Sequence, residues 1–451
     1  MRAKLIGFLR LLFLLFSSLI SRHPRPFFWF FCLGFISFFL AELFILPASK
    51  SLLSRRENYI GVIGNYTITD PPLFLQKKIS KGLTEILENG IATPSAAVSW
   101  EATDSAKLYT FFLRDDLYWH NGEKFSAKDI NYKLKDVDIK IIDEKTIQFK
   151  LNSSFSSLPE IVSQPIFKGN LIGLGDYRVK GLETEGQFLK KLVLSFKSGT
   201  KESFSYYFYP SQEAAVIGFK TGEINEIYNL REKKAWENSK AKITAETDYD
   251  QYVGIFFNEN DSLLADKSFR QALAYTIRED LADGEPAYGP IAKNSFFYNS
   301  GLKTYRYNLE TAKKLFEKTN KTASEAAEIK IVVSVLSPFE PVAEKIKEDW
   351  EKLGIKVELK NETILPSRFQ VLLASQKIPL GPDQYRLWHS TQSLNITGYH
   401  SPKVDKLLED ARKTADLEKR KSLYLDFQKS LVEDSPVIFL YYPASYHLKR
   451  K

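Results

Sequence analysis

Apolar positions along the chain change their spacing several times, and each change marks an element. Residues 27–46 form an apolar run of twenty positions with a single charge, Glu42. At about 1.5 Å per residue, a helix of that length covers roughly 30 Å, the thickness of a bilayer's hydrocarbon core. Arg22 and Arg25 precede the run, which favours an N-terminus held in the cytoplasm. Lys50, Arg55 and Arg56 follow it and weaken that asymmetry. A shorter run, 11–20, suits an interfacial helix or the first half of a hairpin. The expectation is one crossing, with the bulk of the chain outside. Cleavage as a signal peptide fits less well, because the run is long and no A-x-A pattern follows.

From residue 57 the pattern becomes that of a mixed α/β protein. Strands are expected at 59–68, up to Trp100, 108–114, 137–142, 146–151, 177–179, 188–196, 204–209, 226–230 and 249–258. Ile79, Leu83, Ile86 and Leu87 have helical spacing and stop at Asn89-Gly90, so a helix is expected over 79–87. Asn121-Gly122 marks a tight turn. Ser126, with Asp129 three positions on, opens a short helix towards Leu134. A helix capped by Ser211 reaches about Lys220, and helices follow at 267–278 and 308–318. Strand 329–336, helix 340–353 and strand 355–359 form a β-α-β unit with Gly354 as the stop, which implies parallel strands and a right-handed crossover. Ser401-Pro402 opens a helix to about Thr414; a further helix, 417–432, precedes a last strand, 437–442.

With 451 residues the chain is too long for one ordinary core, so two lobes are expected. The formal charge of +8 suggests nucleic acid until it is located. The first 56 residues carry eight cations and one anion, leaving 55 cations against 54 anions in the rest. The folded part therefore shows no basic excess of the kind nucleic acid requires. The single cysteine, Cys32, lies inside the apolar run, and the five histidines are scattered, so neither a disulfide framework nor a metal-ligand spacing is present. Gly173-Leu174-Gly175 lacks the third glycine of a dinucleotide loop, since Arg178 stands there, and it reads as a turn. No nucleophile elbow, phosphate loop or zinc-protease motif occurs. No cofactor is implied, and a binding module is favoured over an enzyme.

Several separated motifs resemble the family 5 extracellular solute-binding proteins, the dipeptide and oligopeptide receptors of ABC importers. They are ISKGL at 79–83, Ser99-Trp100-Glu101, LYTFFLR at 108–114 and Trp119-His120-Asn121-Gly122 followed by FSAKDI at 125–130. FRQALAYTI at 269–277, Gly289-Pro290-Ile291, WEKLGIKV at 350–357 and GYHSPKVDKLLEDA at 398–411 follow in the family's order. The resemblance runs from about Tyr59 to Tyr442. It implies an α/β clamp of the periplasmic-binding-protein type, with mixed sheets, flanking helices and the ligand between two lobes. The implied organisation is a membrane anchor at 1–56, lobe one at 57–247, lobe two at 248–430, and a second hinge crossing with return to lobe one at 431–451. The segment 129–137 is shorter than in relatives, and the chain ends sooner after its second crossing.

The resemblance also implies a function: capture of a peptide, delivery to ABC permease subunits, a membrane-tethered monomer on the extracytoplasmic side, and no catalysis. An extended peptide is held largely through main-chain hydrogen bonds, and its ammonium calls for a carboxylate. Asp383, in the loop LGPDQYRLWH at 380–389, is the expected ammonium partner, with an ordinary turn aspartate as the competing reading. Tyr385 and Trp388 are candidates to line the cleft, or else core residues, and Tyr252 on the hinge strand is a candidate for main-chain contact. Trp100, Trp119 and Arg270 read as structural. A non-peptide ligand (a sugar oligomer or metal chelate), a surface module without transport, and an unrecognised hydrolase remain open.

Overall fold

A computed structural model describes residues 29, 33–35, 57–169, 171–197, 203–231, 241–282, 284–320 and 329–450. The expected membrane span, 27–46, and the shorter run 11–20 lie almost wholly outside these residues; Trp29 and 33–35 are helical and exposed. Among the described residues no helix is long and apolar enough to cross a membrane.

The strand Gln251–Phe257, QYVGIFF, is buried along nearly its whole length. Strand side chains alternate between faces, and the alternation feeds two cores. Val253, Ile255 and Phe257 enter one cluster with Phe269, Ile331, Val333 and Trp350. Tyr252 and Phe256 enter another with Trp388, Tyr399, Leu408, Tyr424 and Phe427. The neighbouring strand Val371–Lys377 does the same, with Val371 and Leu373 on the first face and Leu372 and Ala374 on the second.

A 12-stranded sheet runs through the molecule. At one end stands the expected β-α-β unit: Lys330–Leu336 and Lys356–Glu362 pair in parallel, joined by the helix Glu340–Glu351. At the other end, Glu57–Ile63 pairs in parallel with Glu226–Leu230, and the hairpin Tyr177–Glu185 with Phe188–Phe196 closes the order. The two ends meet on one strand, Val437–Arg450, 14 residues long. Its first part pairs antiparallel with Gln251–Phe257 and with Gly284–Pro286. Its second part pairs antiparallel with Ala241–Thr247 and Glu226–Leu230. The expected strand 437–442 is therefore only the first half of the element; Pro443, which lacks an N–H, accepts from Asp248 instead of ending it.

A separate four-stranded antiparallel sheet comprises Ala97–Thr103, Leu108–Leu113, Thr146–Leu151 and Val137–Ile141. Its buried face carries Tyr109, Phe111, Leu113, Ile147 and Phe149, packed with Trp119 and Phe125. Trp119 is thus a core residue, and Trp100 stacks on Phe111. Asp104, Ser105 and Ala106 all take positive φ in the turn between the first two strands.

Two expected helices differ. The helix expected over 79–87 instead occupies Leu73–Ile79, entered through Pro72. Of the apolar positions after it, Leu83 lies in a bend, Ile86 in the strand Thr84–Ile86 and Leu87 just beyond that strand. Between helix and strand Gly82 passes so close to the Ser163 backbone that a Cβ would collide, which is incompatible with a continuing helix. The helix expected from Ser126 to Leu134 is a single 3₁₀ turn, Ala127–Asp129. Its capping box forms, but Ile130, Tyr132 and Leu134 then alternate inward as extended chain against the core. Gly173 and Gly175 form a close backbone crossing: Gly175 N donates to Ile79 O at 2.8 Å, and a Cβ on Gly173 would strike that same carbonyl.

Candidate ligand cleft

A cleft of about 950 Å³ lies where the edge of the four-stranded sheet, the segment 151–164, the helix Leu73–Ile79 and the segment 377–394 approach one another. Its walls combine aliphatic side chains with charged ones, and Ser153, Ser154, Ser157, Ser163 and Gln164 supply hydroxyl and amide groups.

Of the four residues singled out from sequence, Asp383 lines this cleft. It follows Pro382 and accepts from Tyr385 N at 3.1 Å, as a turn aspartate does. Its charge is already engaged. Arg412, in the last turn of the helix Pro402–Lys413, donates from Nε to both carboxylate oxygens at 3.1 Å and from Nη2 at 2.6 Å. Paired guanidinium and carboxylate planes of this sort are among the stronger charge-assisted bonds. Tyr385 stands behind the pair, its ring 3.8 Å from the Arg412 guanidinium and stacked at 4.1 Å on His389.

Trp388 and Tyr252 lie in the core. Trp388 is 3% exposed and belongs to the cluster of Val404 and Leu408. Tyr252 is 1% exposed and meets Phe439 edge-on at 4.9 Å. Burial pushes its phenol well above the ordinary tyrosine range, with Tyr442 adding to the effect.

Three charged side chains in or behind the cleft wall, Glu160, Arg412 and Arg420, carried no signal in sequence. Glu160, on the short helix Leu158–Ile161, is 6% exposed in the cleft wall. It accepts from Arg420 Nη2 at 2.9 Å, on the helix Leu417–Asp434. Burial raises the Glu160 carboxyl above the usual range, Arg420 opposes the rise and Asp383 adds to it. Arg420 Nη1 also donates to Ser156 O at 2.7 Å, and Ser156 Oγ donates to Ala411 O at 2.8 Å. Arg412 and Arg420 sit among several cations on two amphipathic helices, so their partners, far away in sequence, were not readable. A loop signal did exist: Gly381 lies where a Cβ would press on Glu160 Cγ at 2.8 Å. Glu160 Oε2, Ser157 Oγ, Tyr424 Oη and the Gln384 amide are buried beside these pairs without a hydrogen-bond partner among the described residues.

Arg270, by contrast, is a scaffold residue. It is 3% exposed and donates to the carbonyls of Leu264, Ala265, Asp434 and Ser435. No group of three or more metal-ligating side chains occurs among the described residues.

Comparison with known proteins agrees with this architecture. The chain is similar to the oligopeptide-binding protein AppA of Bacillus subtilis, 25% identical with 84% of each chain covered. It is also similar to the nickel-binding periplasmic protein of Escherichia coli, 22% identical with 86% of this chain and 87% of that one covered. Among solved structures, the ABC transporter substrate-binding protein CtaP of Listeria monocytogenes superposes with a TM-score of 0.72 at 21% identity, covering 87% of this chain and 94% of that one. The family model described as bacterial extracellular solute-binding proteins, family 5 middle, matches residues 92–372, and the chain belongs to that family.

Proposed function

We propose that this chain captures a peptide in the cleft beside Asp383 and presents it to the permease of an ABC importer. The observation that carries the reading is the cleft itself. Its volume of about 950 Å³ stands near the upper end of the roughly 300–1,000 Å³ of small-ligand sites, room for a flexible chain of several residues. Aliphatic side chains interleaved with hydroxyl, amide and charged groups suit a ligand held by its backbone and tolerated in its side chains. Relatives named for oligopeptides support a peptide; the relative named for nickel keeps a metal chelate as the outcome to be excluded.

The tether belongs to the same reading. Residues 27–46 would cross the membrane once and hold the binding body on the extracytoplasmic side, as their length and the preceding arginines support. Lobe one at 57–247 and lobe two at 248–430 would close on ligand about the crossings at the strand 249–257 and the segment 437–442. The full chain, incubated with a random peptide pool and washed, is expected to retain peptides identifiable by mass spectrometry. Retention of none, with retention of a nickel chelate or an oligosaccharide, would replace the peptide reading.

A further inference from the structure

The charges facing the cleft do not balance once their partners are assigned. Asp383 is neutralised by Arg412, which faces the same cavity. Glu160 is neutralised by Arg420 from behind the wall. What remains on the lining is Lys77, Lys135, Lys377 and Arg386 against one carboxylate, Asp136. All four cations are exposed, and among the described residues none of them takes part in an ion pair within 4.0 Å. Just beyond the lining, the charges of Lys77 and Lys377 reach a common carboxylate, Asp250, in the connector before Gln251–Phe257. Counting Asp250 with Asp136, four cations still face two anions.

The lips of the cleft add a second requirement. Leu73, Ile161, Leu380 and Leu394 are between 38% and 51% exposed, and all four line the cavity. Large aliphatic side chains placed together at an opening are a surface that an occupant covers.

Resting on the peptide reading above, we infer that the cleft selects acidic peptides with apolar side chains, and that Lys77 and Lys377 determine this preference. A ligand ammonium finds no uncompensated carboxylate at Asp383. A ligand carboxylate finds lysines from two different elements, the helix Leu73–Ile79 and the end of the strand Val371–Lys377. Such a field acts over about a Debye length, roughly 8 Å at physiological ionic strength, so its effect is graded by salt.

The test uses the full chain and three peptides that share one Leu-Phe-Leu centre and differ only in flanking residues: two Glu, two Gln or two Lys. Affinities by calorimetry are expected to fall in that order, with roughly tenfold or more between the Glu and Lys forms at low salt. The gap should narrow when salt is raised. In Lys77→Glu/Lys377→Glu, both sites being exposed, the fold should persist by circular dichroism and the order should invert. Equal affinities, or a preference for the Lys form in the unaltered chain, would overturn the charge selection while leaving peptide capture standing. Binding of none of the three would overturn both.

Discussion

Glu160 and Arg420 lie 260 positions apart in the chain and meet at 2.9 Å, each less than a tenth exposed. Breaking one side of a buried pair leaves the other charge without compensation, whereas replacing both by apolar groups removes the desolvation cost as well. Arg420→Ala is expected to lose about 3–5 kcal/mol of unfolding free energy. The double variant Glu160→Leu/Arg420→Met should recover most of that loss. Urea denaturation of the three proteins decides it; equal losses in the single and double variants would show that the Ser156 contact, not the charge pair, carries the energy.

Asp383 makes a different prediction, because its partner lies within the cleft. Asp383→Asn should cost about 1–3 kcal/mol of stability by stranding Arg412. It should leave the ratio of affinities for N-acetylated and free-amine forms of one peptide within about threefold of the unaltered protein. A loss confined to the free-amine form would mean that Asp383 does receive an ammonium, with Arg412 moving aside.

Glu259 gives the chain a pH dependence near neutrality. Burial lifts its carboxyl to about 7, Arg270 opposing and Asp434 adding; Arg270 Nη2 stands 3.0 Å from Oε1. The folded protein thus holds the proton more tightly than the unfolded chain, whose value is 4.5. The favourable contribution is complete below that value and is lost as pH rises through about 7. Between those limits stability should decline by about 1–3 kcal/mol on this account. Glu259→Gln should flatten that interval of the stability–pH curve, and an unaltered slope would assign the titration elsewhere.

The glycine crossing at 173–175 supplies the last test. It is clamped from both sides, by Ile79 O and by His120, whose Nε2 lies 2.9 Å from Gly175 O and whose Nδ1 lies 3.3 Å from Gly173 N. Burial lowers the imidazole below its ordinary value, consistent with a neutral ring that donates on one side and accepts on the other. Gly173→Ala is expected to cost about 1–3 kcal/mol through overpacking. Gly181→Ala, where a Cβ would meet Val193 at an ordinary 3.5 Å, serves as control. Similar thermal shifts in both variants would deny the close approach its importance.

These residues show where sequence reading succeeds and where it stops. The unit at 329–359 was legible because buried parallel strands and an amphipathic helix have different periods, and Gly354 separates them. Phe188–Phe196 and Glu226–Leu230 were legible for the same local reason. The helix at Leu73–Ile79 was misplaced because Ile79, Leu83 and Ile86 imitate a helical stripe while serving a helix end, a bend and a strand. The family's motifs located the loop carrying Asp383. They carried no information on Arg412, because whether a carboxylate is free or engaged depends on a side chain 29 positions away. Tyr252 sits on a strand whose two faces feed two cores, and Trp388 ends a helix whose Arg386 and Leu387 line the cleft, so the burial of each is set by packing partners distant in sequence.

The strand Val437–Arg450 has a consequence for how the chain is made. Gln251–Phe257 and Glu226–Leu230 each use it as a sheet neighbour, yet it emerges from the ribosome some two hundred residues after them. Until then both strands present open edges, the feature that invites pairing with other chains. Late delivery of one shared strand therefore ties completion of both halves of the sheet to a single event. A holdase acting during synthesis would be most needed at this stage.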